Sequence, residues 1–396
     1  MVKLAPHDIC TACMACVDSC QRGALKVSID SLGFYCIDAD QSRCIECGLC
    51  NKVCPVLNSS DINKNGSRLP NPYAAWCTDD ELRAKSASGG AFAAIARAFL
   101  LLGAVVYGAA IDGFEVKHRR IETIEKLPLL LGSKYQHSDM RGIYRVVKND
   151  LKEGRVVLFS GLSCQCVGLF DYVGNKLRKN LYIIDTICGG LSTMLPMVNF
   201  EQSGKYRRIV SFRDKSKGWK SKGFAYALKL EDNNGNVCDL GKDNLVIKMF
   251  NCKLTKRSSC LDCRFNGINR VSDCTIGDFW GDRRFKEQHE KGLSVLVDNT
   301  GRIANIIQKS TIHLTPIAWN ELIDSNPCYY WSHYSILRHS VIRKKILSAL
   351  KKKDYDEVKR LIDYPSFWER MDIRIYYRII ELKRRFSYMK FLKRVK

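Results

Sequence analysis

Two matching cysteine runs near the start of the chain constrain its fold more than any other feature. Each run reads C-x2-C-x2-C-x3-C, and Pro55 follows the second run. In bacterial ferredoxins with this spacing, three cysteines of one run bind one [4Fe-4S] cluster and the fourth cysteine binds the other cluster. We therefore predict two clusters, and the two ligand sets are Cys10, Cys13, Cys16 and Cys54, and Cys44, Cys47, Cys50 and Cys20.

Zinc binding and disulfide formation are the alternative explanations of these eight cysteines. Zinc sites usually present pairs of C-x2-C rather than runs of four thiolates. Disulfide frameworks belong to short secreted chains, whereas this chain has 396 residues and starts without a signal-peptide pattern. We therefore expect an iron–sulfur protein in the cytoplasm.

Composition divides the chain into four predicted parts. Residues 58–72 are rich in Asn, Ser, Gly and Pro, which is typical of a linker. After it, short apolar runs alternate with amphipathic segments, as in α/β domains with a parallel sheet. The fold class is α+β or α/β, and the parts are a small bacterial-type ferredoxin module (1–57), the linker (58–72), a mixed α/β domain (73–335) and a helical basic extension (336–396).

Within the mixed domain, periodicity and turn residues predict individual elements. The predicted helices are 91–102 and 143–152. The predicted strands are 103–110, 155–160, 181–186 and 295–298. Alternation of apolar and polar residues predicts hairpins within 206–250, with a turn at Asn233-Asn234-Gly235.

The charge of the chain is strongly positive. Lys and Arg number 64 against 41 Asp and Glu, a net charge of +23, which favours an acidic partner, an anionic substrate, a membrane surface or nucleic acid. Residues 341–396 alone contain 18 Lys and Arg and 7 Asp and Glu. We expect this extension to pack on its own protein, with binding to an anionic membrane surface as the alternative. We expect no nucleic-acid binding, because no recognition module accompanies the charge.

Several short motifs after the linker place polar or sulfur-containing side chains where cofactors usually bind. KSASGGAF (85–92) opens a predicted helix whose N-terminal amides suit a phosphate, although an ordinary helix cap is the alternative. GSKYQ (132–136) offers a cation, an aromatic ring and an amide, or is a solvated loop. VLFSGLSCQ (157–165) and IDTICGG (184–190) each end a strand, where ligand sites of parallel sheets lie. SSCLDCRF (258–265) and TIGDFWGD (275–282) complete the set.

These six motifs, in this order, resemble those of the coenzyme F420 hydrogenase/dehydrogenase beta-subunit family over about residues 73–330. Many members carry a ferredoxin module in front. The resemblance implies FAD and a third [4Fe-4S] cluster in the mixed domain. The cluster ligands that it implies are Cys164, Cys188, Cys260 and Cys263.

The spacing alone supports only the C-x2-C pair of this third set. A zinc site at Cys260 and Cys263, with Cys164 and Cys188 as free thiols, is the alternative. Three further cysteines compete for a ligand position: Cys166, Cys252 and Cys274. We treat these three as packing residues, together with Cys36, Cys77, Cys238 and Cys328.

The resemblance also implies roles for residues around the flavin. Ser86, Ser88, Gly89 and Gly90 would hold the FAD phosphates, and Lys134, Tyr135 and Gln136 would lie near the flavin or the substrate. Lys134 and Asp278 are the candidates for catalysis, with a strand-end cap as the alternative role of Asp278. The chain departs from the family in two motifs, since it has GLSCQ for GTPCQ and CGG for CHG, and so lacks a histidine beside the flavin.

Together these features predict an FAD- and [4Fe-4S]-dependent oxidoreductase. It would pass electrons between a ferredoxin-type or deazaflavin (F420) donor and a substrate, with a redox protein as partner and coenzyme F420 as a possible substrate. One alternative is an electron-transfer subunit without substrate chemistry of its own. Another is a reductase of bacterial polysaccharide biosynthesis at the membrane face, peripheral to the membrane.

Overall fold

The structure, a computed structural model, describes residues 4–58, 69–215, 218–219, 228–241 and 243–395. Most of the predicted linker and part of the region of predicted hairpins lie outside the described residues. The strand that follows the linker begins at Asn71, inside the range 58–72.

The N-terminal module contains one antiparallel hairpin and two short helices. The strands are β1 (Leu25–Ile29) and β2 (Tyr35–Ala39), and the helices are α1 (Ala15–Ser19) and α2 (Leu49–Lys52). The two cysteine runs have matching backbones, because Ala12 and Glu46 both have a positive φ, and so do Met14 and Gly48. Each pair occupies the same two positions of its run, so the two runs turn in the same way.

The remaining strands form a large sheet and a small sheet. They are β3 (Asn71–Cys77), β4 (Val105–Asp112), β5 (Glu115–Ile121), β6 (Val157–Leu162), β7 (Leu181–Thr186), β8 (Tyr206–Ser211), β9 (Lys229–Asp232), β10 (Val237–Asp239), β11 (Cys274–Asp278), β12 (Ser294–Asp298) and β13 (Ile312–Pro316). The large sheet has the order β13-β3-β12-β11-β7-β6-β4-β5, and β8, β9 and β10 form the small one. Strands β4, β6, β7 and β11 are parallel, and antiparallel strands flank them on both sides. The domain is mixed α/β, as predicted, but its sheet combines parallel and antiparallel strands, whereas the apolar runs had indicated a parallel sheet.

Helices cover both faces of the large sheet. The helices that follow the N-terminal module are α3 (Asp80–Ala84), α4 (Ala91–Leu101), α5 (Ile143–Lys152), α6 (Ser163–Val173), α7 (Leu195–Gln202), α8 (Leu245–Asn251), α9 (Ala304–Gln308), α10 (Trp319–Ser325), α11 (Val341–Lys351), α12 (Tyr355–Asp363) and α13 (Phe367–Val395). Apolar residues of α4 pack on one face of the sheet, and those of α5 and α6 pack on the other. The core on the α5 and α6 side continues into the N-terminal module.

Polar contacts fix the N-terminal module on the α/β domain. The Asp18 carboxylate accepts hydrogen bonds from the backbone N–H groups of Gly142 (2.7 Å) and Tyr144 (2.9 Å), at the start of α5. The Tyr144 hydroxyl donates to the carbonyl of Cys13 (2.8 Å). From the other side, the Arg257 guanidinium donates to the carbonyl of Cys10 (2.9 Å). All of these hydrogen bonds therefore connect the α/β domain to the segment that contains the first cysteine run.

Candidate redox site

The eight cysteines of the N-terminal module fall into two groups with different exposure. Burial, followed by the charges of Cys54 and Cys10, raises the pKa of the Cys13 thiol to about 12. In the other group Cys50 is buried, whereas Cys47 is exposed. Burial raises the pKa of Cys50, and the charges of Cys47 and Cys20 raise it further. The cysteines whose charges act on Cys13 and on Cys50 therefore belong to the ligand set predicted for each of these two thiols.

Backbone donors point at several of these sulfur atoms. The N–H of Ala12 donates to the Cys10 sulfur (3.4 Å), and the N–H of Ala24 donates to the Cys20 sulfur (3.3 Å). Hydrogen bonds of this kind to thiolate sulfurs help set the reduction potential of an iron–sulfur cluster. Each of the two predicted ligand sets therefore receives one such hydrogen bond, at Cys10 in the first set and at Cys20 in the second.

Four more cysteines gather at the edge of the large sheet. Cys164 lies in the first turn of α6 and Cys188 follows β7, while Cys260 and Cys263 lie in the segment before β11. Burial raises the pKa of Cys164 well above its ordinary value, and the charges of Cys263, Cys13, Cys188 and Cys260 raise it further. The predicted third set is therefore a set of neighbours, and Cys13 of the N-terminal module lies beside it.

The surroundings of these four thiols fit a cluster of net negative charge. The N–H of Gly190 donates to the Cys188 sulfur (3.3 Å), and the N–H of Leu191 donates to the Cys260 sulfur (3.4 Å). The buried ammonium of Lys256 lies beside Cys188 and Cys260, whose charges favour its protonated form, although burial lowers its pKa to about 8. Hydrogen bonds and positive charge near the sulfurs are features by which proteins tune such clusters.

The alternative to a cluster is that these cysteines bind a single metal ion. Among the residues that the structure describes, no three His, Cys, Asp or Glu side chains converge closely enough to hold one metal ion. A four-iron cluster instead binds each of its four thiolates at a different iron atom.

A buried polar network supports this edge of the sheet. Asp185, at the end of β7, is 1% exposed and forms an ion pair with Arg270. Its carboxylate also accepts hydrogen bonds from the hydroxyls of Ser163 (2.6 Å), Ser272 (2.8 Å) and Thr275 (2.6 Å). Because Ser163 precedes Cys164, this network fixes the start of α6. A buried charge of this kind is stable only when it is fully paired.

A cavity of about 510 Å³ lies at the carboxyl ends of the parallel strands. Its volume is in the range of cofactor pockets, roughly 300–1,000 Å³. Five of the six sequence motifs contribute to its lining, and only SSCLDCRF does not. Representatives of the five are Ser88, Lys134, Gly161, Cys188 and Asp278. The fold therefore brings these motifs together around one cavity that adjoins the third set of cysteines.

The start of α4 forms one wall of the cavity. Ser86, Ser88 and Gly90 line it, whereas Gly89 packs against β3 and β12, where an added Cβ would lie 2.6 Å from the Ala75 carbonyl. The Ser86 and Ser88 hydroxyls donate to the carbonyls of Leu82 (2.8 Å) and Leu293 (2.7 Å). Their protons are therefore already used, and the first-turn amides of α4 are the donors that suit a phosphate here.

The GSKYQ loop forms the opposite wall. The Lys134 ammonium donates to the carbonyls of Leu130 (2.9 Å) and Leu131 (2.7 Å), and burial lowers its pKa to about 7. The Tyr135 ring packs 4.1 Å from the ring of Phe250, centroid to centroid. An ammonium has three donors, so Lys134 keeps one for a ligand.

Two buried side chains in the cavity wall have a polar atom without a partner. The Gln136 amide donates to the Phe114 carbonyl (3.2 Å), and its oxygen has no partner among the described residues. The ring of His118, on β5, contacts the Ser160 carbonyl through Nε2 (3.0 Å), and its Nδ1 lacks a partner there. Buried polar groups are normally hydrogen-bonded, so these atoms fit a polar ligand such as FAD.

His118 was missed by the sequence analysis. Burial lowers its pKa to about 4, so the ring is neutral near pH 7. Because a carbonyl can only accept, Nε2 has the proton and Nδ1 is the acceptor. The nearest signal in the sequence is a histidine in a strand of otherwise alternating polarity, and nothing in that pattern indicates a cavity.

Asp278 lies at the rim of the same cavity, at the end of β11. Its carboxylate pairs with the guanidinium of Arg213 (2.9 Å), which stacks over the ring of Trp280 at 4.7 Å from its centroid. Asn326 donates to the backbone carbonyl of Asp278 (2.7 Å). The ion pair holds this carboxylate in place, which suits orientation of a ligand.

Comparison with known proteins identifies the N-terminal part. Residues 9–58 match the 4Fe-4S dicluster domain family. A chain of the F420-reducing [NiFe] hydrogenase complex from Methanosarcina barkeri is similar in structure, with a TM-score of 0.45, 15% identity and coverage of 70% of this chain and 93% of that chain. No curated protein sequence matches the chain. The predicted ferredoxin-type module is therefore confirmed, and the chain contains a domain for two [4Fe-4S] clusters.

Proposed function

We propose that this protein is an iron–sulfur flavoprotein oxidoreductase that moves electrons between a redox protein and a substrate bound in the cavity. The two ferredoxin clusters would lie between the partner and a third [4Fe-4S] cluster on Cys164, Cys188, Cys260 and Cys263. FAD would occupy the cavity and convert single-electron steps into hydride transfer.

The order of the cysteines from the surface to the cavity is the observation on which this proposal rests. Cys47 is exposed. Cys13 is buried against α6, where a Cβ added to Gly168 would lie 3.2 Å from its sulfur. Cys164 lies in the first turn of the same helix, and Cys188 lines the cavity. In this proposal the three ligand sets would form a series that runs from Cys47 at the surface to Cys188 at the cavity.

The residues around the cavity have separable roles in this proposal. The amides at the start of α4 would bind phosphate, and the protonated Lys134 would offset negative charge. The neutral His118 would accept a hydrogen bond at Nδ1. Asp278, held by Arg213, would orient the bound molecule. Burial lowers the pKa of Lys134 to about 7, so a proton needed by the substrate would come from Lys134 or from solvent.

The substrate is proposed by chemical class. A deazaflavin such as coenzyme F420 is a hydride carrier, and the motif resemblance favours it. An electron-transfer subunit without substrate chemistry of its own is the competing function. A role in polysaccharide biosynthesis stays a prediction from the resemblance alone.

Anaerobic purification with iron, sulfide and flavin analysis tests the cofactors. Three four-iron clusters give about twelve irons per chain, together with one FAD. About eight irons without flavin would contradict the proposal. Reoxidation of the reduced flavin by coenzyme F420, with no partner protein present, would then separate the enzyme from the pure electron carrier.

A further inference from the structure

The long helix α13 exposes a continuous apolar stripe. Trp368, Ile375, Leu382 and Met389 follow one another at intervals of seven residues, and Phe386 lies beside them. All five side chains are exposed: Trp368 (79%), Ile375 (53%), Leu382 (67%), Met389 (59%) and Phe386 (80%). At 3.6 residues per turn these five side chains share one side of the helix. Contiguous apolar surface of this kind marks an interaction site.

The opposite side of α13 holds the helix on the protein. Ile380, 4% exposed, packs into the core formed with α11 and α12. Phe391, 7% exposed, packs near the ring of Tyr330 at 5.2 Å between centroids. The inner side of α13 is therefore already packed on the protein, and the stripe lies on its outer side.

Both edges of the stripe are basic. Arg374 and Arg378 lie along one edge, and Lys383 and Lys390 lie along the other, all of them exposed. The acidic residues of α13 contact other parts of the protein or basic neighbours: Glu369 pairs with Lys345, Asp372 accepts from Ser340, and Glu381 pairs with Arg384. The outer surface of α13 therefore combines apolar side chains with positive charge.

We propose that this surface of α13 docks on an anionic lipid bilayer. A helix with Trp, Phe and Leu on one side and Lys and Arg beside them lies in the plane of the interface, with its apolar side chains at the headgroup boundary. Trp368 suits that boundary, and the long basic side chains reach the headgroups from both edges. No helix among the described residues has the length and apolarity of a membrane span.

A second copy of the chain fits this surface less well. Pairing two such stripes would bring like charges together along both edges, which disfavours the complex. An anionic bilayer meets the apolar stripe and the basic edges at the same time.

Vesicle flotation of the full chain tests the proposal. We expect flotation with vesicles of phosphatidylglycerol and phosphatidylcholine, and none with phosphatidylcholine alone. Each basic residue near an anionic surface contributes about 1 kcal/mol, so Arg374→Gln with Arg378→Gln should weaken binding roughly thirtyfold. Ile375→Gln, Leu382→Gln and Phe386→Gln together should abolish it.

Matched controls replace equally exposed residues elsewhere. Leu101 and Leu102 are 66% and 58% exposed, and Leu101→Gln with Leu102→Gln should bind as the native chain does. Lys126→Gln with Lys152→Gln controls for charge. Unchanged thermal unfolding of every variant would exclude misfolding as the cause.

Three outcomes would overturn the proposal. They are equal flotation with neutral vesicles, native-like binding of the triple stripe variant, and a dimer in lipid-free sedimentation that the triple variant loses. The last would identify a second copy of the chain as the occupant.

Discussion

At the scale of single residues, the protonation of Lys134 should make ligand binding in the cavity depend on pH. Burial lowers its pKa to about 7, and an anionic ligand would raise that pKa again because it favours the charged form. We expect the affinity for FAD to be constant below about pH 7, where Lys134 is already protonated. Above that pH the affinity should fall by up to about tenfold per unit, until the pH reaches the pKa of the complex.

Fluorescence titration of the apoprotein with FAD from pH 6 to 9 measures this dependence. Lys134→Met should weaken binding at low pH and flatten the profile. Burial also lowers the pKa of Lys215 to about 7, but its ammonium donates to the Ser88 carbonyl (2.9 Å) and two other carbonyls behind the α4 wall. Lys215→Met is the control. If Lys215→Met flattens the pH profile and Lys134→Met does not, the lysine that titrates is Lys215, and the prediction for Lys134 is wrong.

The third cluster is tested by two cysteines that are two positions apart. Cys164→Ala should lower the iron content from about twelve to about eight per chain, because it removes one of four ligands. Cys166 is fully buried and its thiol contacts the Ile184 carbonyl (3.8 Å), so Cys166→Ala should leave the iron content unchanged. Iron analysis and low-temperature EPR distinguish the two. Equal iron in both variants would disprove the assignment.

Residue identity alone does not reveal which polar side chains become buried. Lys256 and His118 both occur in segments without a cofactor motif, yet the tertiary fold places one beside Cys188 and the other in the cavity wall. Ser86 was predicted to hold the FAD phosphates, but its hydroxyl proton is used by the Leu82 carbonyl. The sequence pattern locates the cavity, and only packing decides which atoms are available in it.

At the scale of elements, strong periodicity predicted the structure well. The bounds 143–152 and 181–186 agree with α5 and β7, where amphipathic period and a short apolar run are unambiguous. The region 206–250 does contain a hairpin of β9 and β10, with Gly235 at a positive φ. It also contains α8, which was not predicted, because its seven residues are too few to show a helical period.

Helix α5 is capped by a residue of another domain, which the sequence could not show. Asp18→Ala removes both acceptors at its first turn, and we expect a loss of about 1 kcal/mol of unfolding free energy, with faster hydrogen exchange of the Gly142 and Tyr144 amides. Asp354 caps α12 within its own domain (3.0 Å to the Glu357 N–H). Asp354→Ala should cost a similar amount and leave exchange at α5 unchanged. Equal exchange at α5 in both variants would argue against docking through Asp18.

At the scale of the whole molecule, the N-terminal module is packed as part of one body. Its core continues into α5 and α6, and Arg257 of the α/β domain contacts the carbonyls of Cys10 and Tyr35. Cysteine spacing predicted the module but gave no indication of which cysteine run faces the domain, because that depends on long-range packing. In the structure Cys47 is exposed and Cys188 lines the cavity.

This arrangement predicts that a protein partner exchanges electrons with the module at Cys47. Cys47→Ala removes a ligand of the exposed cluster, so iron should fall to about eight per chain, and reduction of the flavin by a ferredoxin should drop to background. A small reductant such as dithionite reaches the cavity directly and should still reduce the flavin. Cys36→Ala, at a buried thiol that donates to Asp30 (3.7 Å), is the control and should keep both reactions. Native rates with ferredoxin in Cys47→Ala would mean that electrons reach the flavin by another path, and the ferredoxin module would then have a structural role.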